Sequence, residues 1–539
     1  MNSANDRKLF WACWIALIAT AFGFIIRGSL LDTWGDQFGL NAVQKGLIGG
    51  VGIWPFAISI ILFSLFIDKI GYGRAMVFAF ICHVAYAIIV ICAPLVLAPA
   101  GSSPEQITAG KQTGYWMLWI GNFIFAIGNG TVEAVVNPVV ATMFSREKTK
   151  WLNILHAGWA GGLVLAGLLA IGLGSVSWQW KVALIFLPVV TYGVIMLSCK
   201  FPVNERVAAG SPYREMLGEF GFFGALIAFP LIVREIAEVI RDACGDVVIA
   251  SNTSQIIVSV ALVLGFTTFA RSFGRPMFIF LLLIMFPLAT TELGTDTWIT
   301  SLMEPEMKNL GYNAAWVLVY TSAIMLLLRL FAGNLVHKLS PLGLLAICAA
   351  LAAAGLICLS KSTGMVIFAA ATLYGIGKSF FWPTMLGVVS EQFPKGGALT
   401  LNATGGVGML AVGVLGAPFI GLLQERAQTT DLKAQQPAIY ESVKADQEKE
   451  SVFGNYQALN PDKIAALPAA DQQLVQNVEN SAKKGALATM AVFPCVMFAC
   501  YLILIAYFRS QGGYKAQVLT GHAAEDAKFT GGIPAPGEA

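Results

Sequence analysis

The feature that most limits what this chain can become is the recurrence of apolar runs about twenty residues long. A bilayer core of about 30 Å is crossed by roughly 20 residues of helix. No water satisfies backbone groups at that depth, so such runs fold as helices. Runs of this kind cover 9–31, 45–67, 75–97, 115–144, 151–173 and 179–199. A second set covers 275–301, 313–337, 341–360, 364–390, 398–424 and 485–508. Two more lie between the sets, at 218–240 and 249–270. The reading is an all-α polytopic membrane protein with fourteen spans. Because 218–240 contains Arg234, Glu235 and Glu238, it alternatively lies in the interface as an amphipathic helix.

Composition agrees with this. Of the 539 residues, 57% are hydrophobic and 12% charged, against about 25% charged in soluble domains. A net charge of +3 is too small to suggest nucleic acid. Of nine cysteines only Cys244 lies outside an apolar run, and no CxxC or Cys/His cluster appears, which argues against a disulfide frame or a zinc site. The first run is too long for the core of a signal peptide and reads as a retained helix.

Orientation follows from the basic residues of the loops. With the N-terminus inside, the inner loops and tails carry Arg7, Lys8, Lys69, Arg74, Arg146, Lys148, Lys150, Arg206, Arg214, Arg271, Arg275 and Arg509. The outer loops carry Lys45, Lys111, Lys181, Arg241, Lys308 and Lys361. Both termini are therefore expected in the cytoplasm of a cell whose plasma membrane, the inner membrane of a bacterium, holds the protein as a monomer. The expected units are a six-helix bundle over 1–200, a linker with two inserted helices over 201–273, and a second bundle over 274–509. An extracytoplasmic insertion covers 425–484, where Asn460-Pro461-Asp462 reads as a capped helix start. The tail at 510–539 is expected to be disordered.

The chain also repeats itself. SLFIDKIGYGR, from Ser64 to Arg74, follows the second span, and GNLVHKLSPLG, from Gly333 to Gly343, occupies the corresponding turn of the second set. The first copy resembles the loop motif of the major facilitator superfamily, written GxLaDrxGrk, with Asp68, Lys69, Gly71 and Arg74 in place. That resemblance implies two six-helix bundles moving by alternating access, with Asp68, Lys69 and Arg74 acting in gating. Shifting the sequence by 245 residues lays Gly130 on Gly375, Glu133 on Lys378 and Pro138 on Pro383. A little further on, Leu152-Asn153 falls on Leu401-Asn402.

In transporters built of such repeats, substrate sits between the halves near mid-depth. Charged side chains at a helix centre cost about 2.5–3.5 kcal/mol on insertion scales, so they face protein or water. Asn122, Asn129, Glu133 and Asn137 fall on one stripe of the fourth span, within roughly 80° at 100° per residue. Tyr374, Lys378 and Trp382 form a ridge on its repeat mate. By the repeat geometry Glu133 and Lys378 are expected to face each other. Pro138 and Pro383 leave carbonyls that need other partners. Arg27, Asn153, His156, Trp159, Glu292, Asp296, Trp298 and Asn402 complete the candidate substrate site, with Trp159 and Trp298 read equally as packing. Arg329, two turns from the cytoplasmic end of its span, is expected to snorkel outward.

VEAVVNPVVATMF, WLNILHAGWAGG and ATTELGTDTWIT resemble the fucose:proton symporter and bacterial glucose transporter group. This implies proton-coupled uptake of a sugar or similar small polar solute, with Glu133 as the proton site and Lys378 as its partner. It also places Asn137 and His156 near the sugar and Trp298 by the outer gate. No cofactor is implied beyond an ion gradient of protons, or else sodium. FPKGGALTLNATGGVGM is similar to a Gly-rich segment of nitrate/nitrite porters. With Arg27 and Lys378 as ligands, an organic or inorganic anion is the alternative cargo. An enzyme is not expected, since no nucleophile–base, metal or nucleotide motif is present.

Overall fold

The computed structural model describes residues 4–519 except 100, 175, 246 and 450–452. Among the described residues, twelve helices are long and apolar enough to cross a membrane. A thirteenth is added if Ala315–Leu330 and Ala332–Leu339, bent by 69°, form one span. The count of fourteen read from the sequence is higher for a local reason. The run at 364–390 is broken at Ser379 and Phe380 into Val366–Lys378 and Phe381–Gln392, each too short to cross alone.

The first half comprises α1 (Ala4–Phe38), α2 (Ala42–Gly50), α3 (Trp54–Ile70), α4 (Tyr72–Cys92), α5 (Pro104–Met143), α6 (Lys148–Gly172), α7 (Trp178–Ala183) and α8 (Phe186–Leu197). Its long central helix α5 starts at a capping box in which Ser103 and Gln106 satisfy each other's backbone N–H, with Pro104 in the first turn. Helix α1 packs along α6, and α5 along α3 and α4.

Two inserted helices follow, α9 (Tyr213–Cys244) and α10 (Asn252–Ala270). Helix α9 is kinked at Gly221, whose φ of 58° and ψ of −165° no side chain adopts easily. The kink lets Phe222 and Phe223 donate to the carbonyls of Ser272 and Phe273 at 2.9 and 3.2 Å. A Cβ on Gly221 would lie 2.0 Å from the backbone nitrogen of Gly274, so the hairpin closes only with glycine there.

The second half runs through α11 (Pro276–Ala289), α12 (Thr295–Asn309), α13 (Ala315–Leu330), α14 (Ala332–Leu339), α15 (Pro341–Lys361), α16 (Val366–Lys378) and α17 (Phe381–Gln392). It ends with α18 (Gly397–Ala411), α19 (Ala417–Gln435), α20 (Ala469–Met490) and α21 (Val492–Ser510). One π-helical turn, Thr290–Gly294, joins α11 to α12, and another, Val412–Gly416, joins α18 to α19. The halves meet where α18 packs on α3, and where α13 and α17 pack on α6.

Helices α19 and α20 carry the 425–484 insertion, which has a small core of its own around Leu432, Tyr440, Val443, Val475 and Val478. There Asn460 caps Pro461–Ala465 by accepting from Asp462 and Lys463, the start read from the sequence. Of the tail from 510, residues up to 519 are described. Tyr514 donates to Glu391 at 2.6 Å, and Gln392 donates to the carbonyl of Lys515 at 2.9 Å. Burial and the Glu391 carboxylate push the Tyr514 phenol well above its ordinary value, so it stays a donor at neutral pH. Residues 520–539 lie outside the described set.

Candidate functional site

The polar residues of the seam organise around two prolines. A proline removes the hydrogen bond to the carbonyl four residues earlier, and in a bilayer that carbonyl must find another donor. Pro138 frees the carbonyl of Ala134, which accepts from Asn402 Nδ2 of the opposite half at 3.0 Å. Pro383 stands four residues after Ser379, whose carbonyl accepts from Arg329 Nε at 2.6 Å. Both repeat-related prolines are thus compensated by named side chains. Asn402→Leu is expected to leave the Ala134 carbonyl bare and cost about 1–3 kcal/mol. A thermal midpoint in detergent checks this, and an unchanged midpoint would count against the bond.

Arg329 is the hub. It is 1% exposed, and besides Ser379 it donates from Nη2 to Glu292 Oε1 at 2.7 Å and from Nη1 to the carbonyl of His156, across the seam, at 3.0 Å. Glu292 lies in the π-helical turn, and its Oε2 accepts from the backbone N–H of Trp382 at 3.0 Å. That N–H belongs to the first turn of α17, where the break leaves donors free and the helix dipole favours an anion. The outward snorkelling read for Arg329 is therefore wrong. The chain bends after Leu330, so the last turn of α13 ends inside the protein.

Lys378 does not face Glu133. It bonds Asp296, four residues beyond Glu292, and its Nζ lies 5.4 Å from the centre of the Tyr374 ring. Tyr374 donates to the carbonyl of Thr291 at 2.7 Å. The expected Glu133–Lys378 pair is replaced by two pairs inside the second half, because the repeat aligns positions along the chain while the break after Lys378 turns its side chain toward α12.

Glu133 forms no ion pair with Lys or Arg among the described residues, and its near contacts are an amide and an imidazole. Asn137 donates to its Oε2 at 2.6 Å, the Asn137 carbonyl oxygen meets His156 Nε2 at 2.9 Å, and His156 Nε2 lies 4.0 Å from Glu133. Glu133, His156, Trp159, Glu292, Arg329 and Trp382 line a shared cavity with Phe56, Leu293 and Met409. The space left between them is about 20 Å³, room for a water or two, so the seam is nearly closed in this state.

The other candidates lie around this centre. Asn153 donates to Thr384 of the opposite half at 3.0 Å. Asn129 faces α4, where it meets His83 at 3.0 Å, and His83 meets Tyr192 at 3.0 Å. Trp298 packs beside Gly421 and does not line the cavity. Arg27 is 3% exposed and lies on the backbone of Gly52, in the break between α2 and α3. A Cβ there would be 1.2 Å from its Nη1, so only glycine admits it. Among the described residues its Nε and Nη1 are buried without a hydrogen-bond partner.

At the end of the bundle where α1 begins and α21 ends, the seam is sealed. Lys148 donates to Glu205 at 2.5 Å and to the carbonyl of Ser390 at 3.1 Å. Thr149 donates to Glu391 Oε1 from its N–H at 3.0 Å and from its hydroxyl at 2.6 Å. Asp68 binds Arg206 at 2.5 Å, Lys69 lies over the Tyr213 ring at 5.7 Å, and Arg74 is exposed. In the second loop copy His337 meets Glu147 of the first half at 3.1 Å. Burial acts most strongly on the Glu147 carboxyl and against its charge, but the bond and charge of Lys150, with Trp151 and His337, together outweigh it and hold that carboxyl below its ordinary value. Glu391→Ala is expected to shift the population about ten- to a hundredfold toward opening at this end, since charge-assisted bonds contribute about 1.5–3 kcal/mol. The alkylation rate of a single cysteine placed at Ala141, beneath the seal, measures it.

Among the described residues no group of His, Cys, Asp and Glu is arranged to hold a metal ion. Two packed halves with charges buried along a closable seam are the architecture of a carrier. The chain belongs to the Major Facilitator Superfamily, whose sequence pattern matches residues 12–417. It is a multi-pass membrane transporter with a small-molecule cargo, not an enzyme. No curated protein matches the sequence. The xylose symporter XylE from E. coli, bound to 6-bromo-6-deoxy-D-glucose, is similar in structure at 13% identity, with 98% of this chain and 100% of that chain covered and a TM-score of 0.57. The human organic anion transporter MFSD10 is similar at 11% identity, with 93% and 100% covered and a TM-score of 0.54. At these identities the likeness is one of fold.

Proposed function

We propose that this transporter takes up a sugar or similar small polar solute together with a proton. In this reading all fourteen apolar segments cross a bacterial inner membrane, both termini are cytoplasmic, and the halves 1–200 and 274–509 rock about the linker 201–273. The observation that carries the reading is the charge pattern of the central seam. Glu292 has Arg329 and Asp296 has Lys378, while Glu133 has an amide and an imidazole. Arg329 lines the same cavity but is bonded to Glu292. A proton on Glu133 therefore cancels a carboxylate charge that, among the described residues, forms no ion pair of its own with Lys or Arg, and its loss restores that charge. Asn137 and His156, already bonded to one another, would turn to the solute as the cavity widens, with Trp159 and Trp382 as flat apolar walls. Purified protein in proteoliposomes should accumulate a labelled hexose or pentose under an inward proton gradient and alkalinise the medium as it does so. Accumulation that follows sodium, or no accumulation of any sugar, would overturn the reading.

Arg27 favours a second reading, an anion carrier, because its guanidinium is buried and, among the described residues, forms no ion pair. Lys378 no longer supports that reading, being neutralised by Asp296. A thermal-shift screen of sugars, sugar acids and inorganic anions separates the two. Stabilisation by an anion that is lost in Arg27→Gln would decide for the second.

A further inference from the structure

A cavity of about 300 Å³ lies away from the central seam, where α9 packs against α2 and α3. Gly46 and Gly50 form its floor, Trp54 and Trp119 its walls, and Glu235 and Glu238 of α9 its rim. The space beside the glycines is open, since a Cβ on either would meet no atom within 4 Å. The walls belong to a continuous aromatic surface. Trp119 stacks on Phe123 at 5.5 Å and 10°, Phe123 meets Trp54 at 5.7 Å, and Trp116 meets Trp119 at 5.9 Å.

The charges around this cavity are sorted. Arg234 and Arg241 bind Glu238 at 3.2 and 3.3 Å and do not line the space. Glu235 forms no ion pair among the described residues and lies against the second half, with its Oε1 2.8 Å from where a Cβ of Gly413 would sit. Aromatic faces attract cations through their quadrupole, and a carboxylate beside them adds Coulomb attraction. A hard metal ion is not suited, because two carboxylates among apolar groups fall far short of six oxygen ligands.

We propose that this cavity binds an ammonium group carried on an apolar body, either a free protonated or quaternary amine or the headgroup of a membrane lipid. The ligand would lie between a floor from the first half and a carboxylate that touches the second. Its occupancy would therefore resist the relative motion of the halves without competing for the central seam. This stands apart from the proton-coupling role of Glu133.

The test uses the full-length protein in phosphatidylglycerol nanodiscs, titrated by calorimetry with benzyltrimethylammonium and with its uncharged isostere neopentylbenzene. The cation should bind at least tenfold more tightly than the isostere, a difference of at least 1.4 kcal/mol, and Glu235→Gln should remove that advantage. Gly50→Phe, which fills the cavity from its floor, should abolish binding, and Gly46→Leu serves if that variant fails to fold. Glu133→Gln should leave binding unchanged. Equal affinity for the isostere, binding that survives the filled floor, or binding lost in Glu133→Gln would overturn the proposal. Adding phosphatidylethanolamine to the nanodiscs separates the sources. A weakened titration identifies the lipid headgroup as the resident ligand, and an unchanged one identifies a free amine.

Discussion

Replacing Glu133 with Gln is expected to reduce gradient-driven accumulation of the solute from several hundredfold to about one. One proton entering down one pH unit contributes about 1.4 kcal/mol, and 100 mV adds about 2.3 kcal/mol. Together these support an accumulation of roughly 500-fold for a neutral solute. Glutamine keeps the size of the side chain and can still bond Asn137, but it carries no exchangeable charge. The variant should therefore bind solute and exchange labelled for unlabelled solute across a vesicle wall, while no longer concentrating it. The measurement is uptake against counterflow in the same proteoliposomes. Accumulation that survives in Glu133→Gln would remove this residue from the coupling role, and loss of counterflow as well would point to a role in binding.

The second large effect is expected at Arg329. Arg329→Met removes three hydrogen bonds at once and leaves Glu292, the Ser379 carbonyl and the His156 carbonyl to be satisfied by other means. Breaking a buried ion pair by removing one partner costs about 3–5 kcal/mol, so both thermal midpoint and transport rate should fall steeply. Glu292→Gln should cost less, since the amide oxygen still accepts from the guanidinium or from Trp382, although its NH2 then faces the other donor. In the double variant the loss should be smaller than the sum of the two, because the second change removes a charge that the first had stranded. A double-mutant cycle on the midpoints measures this coupling, expected within the range of about 0.5–3 kcal/mol for residues in contact. Strict additivity would mean that the two side chains do not act as a unit.

Much of the carrier's plan was legible in the chain itself. The apolar runs of about twenty residues mark the helices, and the shift of 245 residues sets Pro138 against Pro383 and Glu133 against Lys378. The proline pair also announces two carbonyls in need of donors. The donors were not legible, because Asn402 and Arg329 reach Ala134 and Ser379 only through helix crossings that no spacing encodes. Glu292 and Asp296 share a helical face at i, i+4, and Arg329 and Lys378 are the two buried cations of the same half. The pairing of those four could have been read from that alone. What concealed it was treating 313–337 and 364–390 as straight helices. One bends just after Arg329 and the other breaks just after Lys378, and each irregularity turns a cation inward. Asn129 shows the opposite limit, since a shared stripe on a helix of 40 residues does not mean a shared neighbour when the helix crosses several others along its length.

The bond from Asn402 to Ala134, and that from Arg329 to the His156 carbonyl, have a further bearing on how the protein moves. Each joins one half to a backbone carbonyl of the other, deep in a region with little water. When the halves part, both carbonyls lose these donors; the His156 carbonyl keeps the bond of its own helix, but Pro138 denies the Ala134 carbonyl any such bond. Water must therefore arrive as the seam opens. Wetting of the central passage becomes a step of the cycle in its own right, and the rate at which the carrier opens is set in part by how readily the solvent follows.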